Sequence, residues 1–243
     1  MTGVYCFADR NIEIVSIYEK VHRYCEAYRV DAVPDFTVVT TEEDIVMEKG
    51  RSAEQNQREG LPVREYPPEY LEELAVYRKI ADRMIAYDTL LFHGSAISVD
   101  GEAYIFTAKS GTGKSTHARL WREYFKDRAI MVKDDKPLIR VTNRESIVYG
   151  TPYNGKHRLG NNISVPIRAI CILDRDSENH IEPISKEEAF TVLLQQTHIP
   201  NDRSSVIRCM MLLKQLINSV KLYHLGCNME LEAASVSYFG MQN

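Results

Sequence analysis

The stretch AYIFTAKSGTGKST, residues 103–116, decides how this chain is read. Ala103–Thr107 is apolar and β-rich, which reads as a strand. Ser110, Gly111, Thr112, Gly113, Lys114, Ser115 and Thr116 follow, and from there Ala118, Trp121 and Phe125 recur at helical spacing. Strand, glycine-bearing turn and amphipathic helix in this order make a loop whose backbone N–H groups can face an anion at a helix N-terminus. Gly113-Lys114-Ser115 completes the second half of the phosphate-loop pattern, with the lysine for β/γ-phosphates and the hydroxyl for Mg²⁺. The first glycine of that pattern is replaced by Ala108. That is harmless if its φ is negative and damaging if φ is positive. At average residue usage Gly-x-Gly-Lys-[Ser/Thr] arises by chance in roughly 1% of chains this long, and the strand before and helix after lower that further.

Upstream, Asp100-Gly101 sits between two β-rich runs, the favoured dipeptide of a tight hairpin, so the strand that feeds the loop is a hairpin strand. Downstream, AIMV (129–132) reads as a buried strand ending at Lys133-Asp134-Asp135. Paired carboxylates at a strand end near a phosphate loop can divide labour. One holds Mg²⁺ and the other accepts the proton of an attacking hydroxyl. Asp135 is taken as the metal ligand with Ser115 and Asp134 as the base, although the two can exchange. His93-Gly94, before the hairpin, is placed near the loop. The stretch YGTPYNGKHRLGNN (149–162) carries Lys156, His157 and Arg158 and reads as a loop able to close over phosphate or an acceptor.

These features together resemble the HPr serine kinase/phosphorylase family. Its catalytic domain has His-Gly ahead of a hairpin, a Gly-x-Ser-Gly-x-Gly-Lys-Ser loop and an Asp-Asp strand end. This chain has His93-Gly94, Ala108–Ser115 and Lys133-Asp134-Asp135 in that order, with Ala108 for glycine and Lys133 for a small residue. Small stand-alone relatives carry Gly-Thr-Pro-x-x-Gly-Lys, here Gly150–Lys156, and some sit in peptide-tailoring pathways. The resemblance spans about 90–235. It implies an α/β fold with a mixed-sheet core shared with phosphoenolpyruvate carboxykinases, and a kinase that uses ATP and Mg²⁺. The acceptor would be a hydroxyl on a peptide, a protein or a small molecule. Lys156 or Arg158 would stabilise transferring charge. An ATP-binding regulator without turnover and a carboxykinase-like lyase are the competing functions.

The rest of the sequence frames this core. The chain has 243 residues, 44% hydrophobic and 26% charged, with net charge −4, so no basic surface calls for nucleic acid. No apolar run approaches the roughly 20 residues of a membrane helix, and no signal peptide is read at the start. The five cysteines are scattered, without a CxxC pair, which argues for reduced thiols, no zinc site and a cytoplasmic protein. The polar stretch 48–62 is read as flexible, dividing a smaller α+β portion, 1–66, from the nucleotide-binding domain, 67–243. Strands are expected at 12–17, 36–39, 138–141, 168–173 and 221–225. Helices are expected from Pro67-Pro68, with Tyr70, Leu74, Tyr77, Ala81 and Met84 as apolar face, from a capping box at Ser185–Glu188, and over 203–219. A homo-oligomer is left open.

Overall fold

In the computed structural model, every residue is described except Glu59, Leu61, Val63, Lys156, His157 and Asn243; of Arg58 only the backbone is. The chain forms two compact units, Met1–Arg83 and Met84–Asn243.

The first unit holds β1 (Thr2–Phe7), β2 (Arg10–Val15), α1 (Glu19–Cys25), β3 (Phe36–Val39), α2 (Glu42–Arg58) and α3 (Pro68–Met84). β1 and β2 pair antiparallel, and β2 and β3 parallel. Alternation in β2 sends Ile12 and Ile14 inward, as a half-buried strand requires. The polar stretch at 48–62 is not a flexible linker over its first part, because α2 runs through Arg58. Its anchor is Glu48, buried, which accepts from Arg51 at 2.7 Å and from Arg78 Nη2 at 3.1 Å. A buried carboxylate is kept only when paired in this way.

α3 starts at Pro68 as expected, and Tyr77, Ala81 and Met84 of the expected face are buried, joined by Leu71, Ala75, Val76 and Ile80, while Tyr70 is left exposed. The added cause is Glu72, fully buried, which accepts from the amides of Ile17 (2.7 Å) and Tyr18 (2.9 Å) and from Thr40 Oγ1 (2.6 Å). Those bonds tie α3 to the N-terminal strands. The compact units meet at Arg83/Met84, at the last residue of α3, whereas the sequence places the division at 66/67.

The second unit is a mixed sheet with helices on both faces. Its elements are β4 (Thr89–Leu91), β5 (Ser95–Val99), β6 (Glu102–Thr107), α4 (Lys114–Phe125), β7 (Ala129–Lys133), β8 (Leu138–Val141) and β9 (Ser146–Tyr149). They continue with β10 (Ser164–Arg175), β11 (His180–Pro183), α5 (Lys186–Gln196), α6 (Arg203–Ser219), β12 (Lys221–Cys227) and α7 (Glu232–Gly240). The strand order is β4-β8-β9-β10-β6-β5-β7, with β12 beside β10 and β11 beside β12. Asp100 and Gly101 turn β5 into β6 with φ of 54° and 84°, the left-handed pair that a two-residue hairpin needs.

β6 lies parallel to β10, and β10 parallel to β12. Alternate β6 residues face opposite layers. Ala103 and Ile105 join a cluster with Leu193 of α5 and Leu213 and Leu216 of α6. Tyr104 and Phe106 join Trp121 of α4 and Ala234 of α7. This two-sided burial makes β6 a rigid platform for the loop that leaves it. β7 is an edge strand with Ile130 exposed, so AIMV is buried only in part. The capping box at α5 is present: Glu188 N–H to Ser185 Oγ is 3.2 Å and Ser185 N–H to Glu188 Oε2 is 3.0 Å. Among the described residues no helix is long and apolar enough to cross a membrane.

Candidate functional site

β6 ends at Thr107, and the chain turns through Ala108–Gly113 into α4. Gly111 (φ 79°) and Gly113 (φ 132°) take the left-handed backbone that only glycine adopts without strain, and a Cβ at either would project into open space. Ala108 is not among the residues with positive φ. It lies 2% exposed in the cluster with Phe106 and Ala118, so alanine fits both the backbone and the packing. α4 has no side-chain cap at Gly113. Among the described residues, the N–H groups of Gly111, Gly113 and Ser115 have no hydrogen-bond acceptor, whereas Thr112 N–H is taken by Lys109 O at 3.2 Å. Uncapped amides at a helix start, with the positive end of its dipole, make an anion-favouring concavity. Lys114 Nζ donates to Ala108 O at 2.9 Å. Arg175, at the end of β10, donates to Gly111 O (2.6 Å) and Thr112 O (3.2 Å). It holds two loop carbonyls outward.

His93 enters from the residues between β4 and β5. Its backbone is pinned twice: its N–H donates to Gln196 O (2.7 Å) and its carbonyl accepts from Thr107 Oγ1 (2.8 Å). Its Nε2 lies 3.5 Å from Asp135 Oδ1. Burial first, then the Lys114 charge, push the His93 pKa below its ordinary value, against the pull of Asp135. The sequence candidates His93, Lys114 and Asp135 thus belong to one electrostatic neighbourhood.

Asp134 and Lys133 do something the sequence did not announce. Asp134, 8% exposed, accepts from Gly155 N–H through Oδ1 (2.9 Å) and from Leu159 N–H through Oδ2 (3.3 Å), while its carbonyl accepts from Ser95 Oγ (2.8 Å). Lys133, fully buried, donates to Thr151 O (2.9 Å) and Asn154 Oδ1 (3.0 Å). Burial pushes its pKa down to about 7. Asn161 adds bonds to the carbonyls of Met131 (2.7 Å) and Val132 (3.2 Å). Gly150 is glycine because a Cβ there would run into the backbone carbonyls of Asn161 and Val132. The 149–162 segment is therefore stapled onto the end of β7.

Of the loop candidates, Ser115 and Thr116 open onto a cavity of about 220 Å³ that Asp134 also lines. Arg158 is exposed, with φ 50°. Lys156 lies outside the described residues. Arg175 was missed; parallel pairing of β10 with β6 places it at the loop, which no local pattern reveals. Among the described residues no group of three or more His, Cys, Asp or Glu could hold a metal ion.

A solved structure of the HPr(Ser) kinase/phosphatase from Coxiella burnetii aligns at TM-score 0.28 and 13% identity, over 54% of this chain and 88% of that one. At that score the likeness carries no argument. No curated protein matches. The family model described as SynChlorMet cassette protein ScmC matches residues 69–234, from within α3 to within α7. With well over half of its residues matched, the chain belongs to the SynChlorMet cassette protein ScmC family.

Proposed function

We propose that the chain is an ATP-dependent kinase that transfers the γ-phosphate to a hydroxyl, of a serine in a peptide or protein or on a small molecule. The observation that carries this is the row of open amides at Gly111, Gly113 and Ser115, ending at Lys114 and Ser115 in the first turn of α4. The residues from Ser110 to Thr116 hold the phosphates. Lys114 exchanges its bond with Ala108 O for phosphate oxygen. Mg²⁺ fits the donors present, the Ser115 hydroxyl and the Asp135 carboxylate, since it takes few protein oxygens beside substrate phosphates. Bound there, Mg²⁺ would neutralise phosphate charge.

Asp134 accepts the hydroxyl proton. Its two amide bonds fix its orientation and leave acceptor capacity on each oxygen. The hydroxyl oxygen forms a bond to the γ-phosphorus as the bond to the β-phosphate oxygen breaks. His93 keeps Asp135 oriented, and Arg158 or Lys156 offsets transferring charge. Positioning and charge supply most of what such a transfer requires.

Transfer of labelled γ-phosphate to hydroxyl peptides tests this. Wild type should transfer, and Lys114→Ala and Asp134→Asn should each lose at least about a hundredfold. A second reading, a nucleotide-binding regulator, is favoured by the Lys114–Ala108 bond alone; binding without transfer in wild type would select it.

A further inference from the structure

Ser115, Arg119 and Arg122 stand four and three residues apart on α4, so they line one face of that helix. All three border the 220 Å³ cavity that Asp134, Met131 and Leu159 complete. At that size the cavity is below the roughly 300–1,000 Å³ of pockets that enclose a whole ligand. It admits the reacting end of an acceptor and no nucleoside triphosphate. Its charge is positive. Two guanidinium groups, those of Arg119 and Arg122, face one carboxylate, Asp134, which the Gly155 and Leu159 amides hold in place. Arg119 reaches outward to Glu123 at 2.9 Å in an exposed pair, a weak contact that is easily exchanged. Arg122 is half-buried and, among the described residues, its guanidinium has no partner.

We propose that this cavity is the acceptor subsite, and that Arg119 and Arg122 select a peptide carrying an acidic side chain close to the accepted hydroxyl. The proposal rests on the kinase reading for the reaction, but the recognition stands on the cavity itself. The spacing sets the register. Arg119 and Arg122 lie about 6 and 10 Å along the helix axis from Ser115. An extended peptide advances about 3.3–3.6 Å per residue. With the hydroxyl entering at the Ser115 end of the cavity, where the phosphates would lie, the acidic side chain is expected two or three positions from it. Arginine is suited to this work because its fork meets a carboxylate through two parallel bonds.

The test is binding of two short peptides to the full chain, followed by fluorescence anisotropy. They share a central serine and differ in carrying Glu or Lys two and three positions away. The Glu peptide should bind wild type at least about tenfold more tightly. Arg122→Gln should erase most of that preference, Arg122→Lys should restore part of it, and each variant should keep the wild-type melting temperature. Equal binding of the two peptides to wild type, or an unchanged preference in both Arg122→Gln and Arg119→Gln, overturns the proposal. Loss of the Mg-ATP melting shift in Arg122→Gln also overturns it, by assigning the arginine to the nucleotide. Selective peptide binding without any Mg-ATP shift in wild type would leave this subsite standing and remove the kinase reading.

Discussion

Ala108 is the residue on which the phosphate-loop pattern first looks broken. Its backbone does not ask for glycine, and its methyl is packed in the core. Ala108→Gly should therefore cost about 0.5–1 kcal/mol through chain entropy and leave the Mg-ATP melting shift unchanged; a clear gain in nucleotide affinity would show that alanine strains the loop. Lys133 departs in a more consequential way. Its pKa is pushed from 10.5 to about 7 in the fold, so between those pH values the unfolded chain binds more protons. Its contribution to stability must rise with pH across that window. His117, buried with Trp121 Nε1 donating to its Nε2 at 3.1 Å and driven by burial to about pKa 3, acts the same way between pH 3 and 6.5. Denaturant titrations across pH should show both rises, and Lys133→Met should flatten only the alkaline one. The lysine was visible in sequence as an oddity. Its burial was not, because that depends on Thr151 and Asn154 arriving from a distant segment.

At the scale of elements, local signals were legible where local chemistry decides. The Asp100-Gly101 hairpin, the Ser185–Glu188 capping box, the Pro68 helix start and the turn from β6 into α4 were all read from neighbouring residues and are all present. Elements held by remote partners were not. Residues 48–58 look like linker until Arg78 meets Glu48. β9 and β11, each four residues long, and β1 at the chain start also went unread. The 149–162 segment was read as a closing loop, whereas Lys133 and Asp134 fasten it to β7. Asp134→Asn removes one carboxylate acceptor, so the Gly155 and Leu159 amides should exchange with solvent about tenfold faster, for roughly 1–1.5 kcal/mol of lost hydrogen bonding. Unchanged protection would mean that Lys133 and Asn161 suffice. Arg175→Ala should weaken Mg-ATP binding several-fold without unfolding the chain, since the bonds it loses to Gly111 and Thr112 are exposed.

In the whole molecule, the site candidates belong to the second unit. His93, the β6–α4 loop, Asp134, Asp135 and Arg175 all fall within Met84–Asn243. The loop springs from a strand buried between two helical layers, which gives it a rigid base. The fold class was legible because a hairpin strand feeding the loop excludes a purely parallel sheet. The strand order was not, because β10 alone links β9, β6 and β12 through pairings far apart in sequence. Amide exchange in the intact chain should show Mg-ATP protecting segments within 93–175 and leaving 2–58 unchanged. The most direct measurement is the melting temperature with and without millimolar Mg-ATP. At a hundredfold excess over Kd the ligand adds about 2.7 kcal/mol, so wild type should melt roughly 5–10 °C higher and Lys114→Ala should not shift. A wild-type chain whose melting temperature ignores millimolar Mg-ATP would contradict the account.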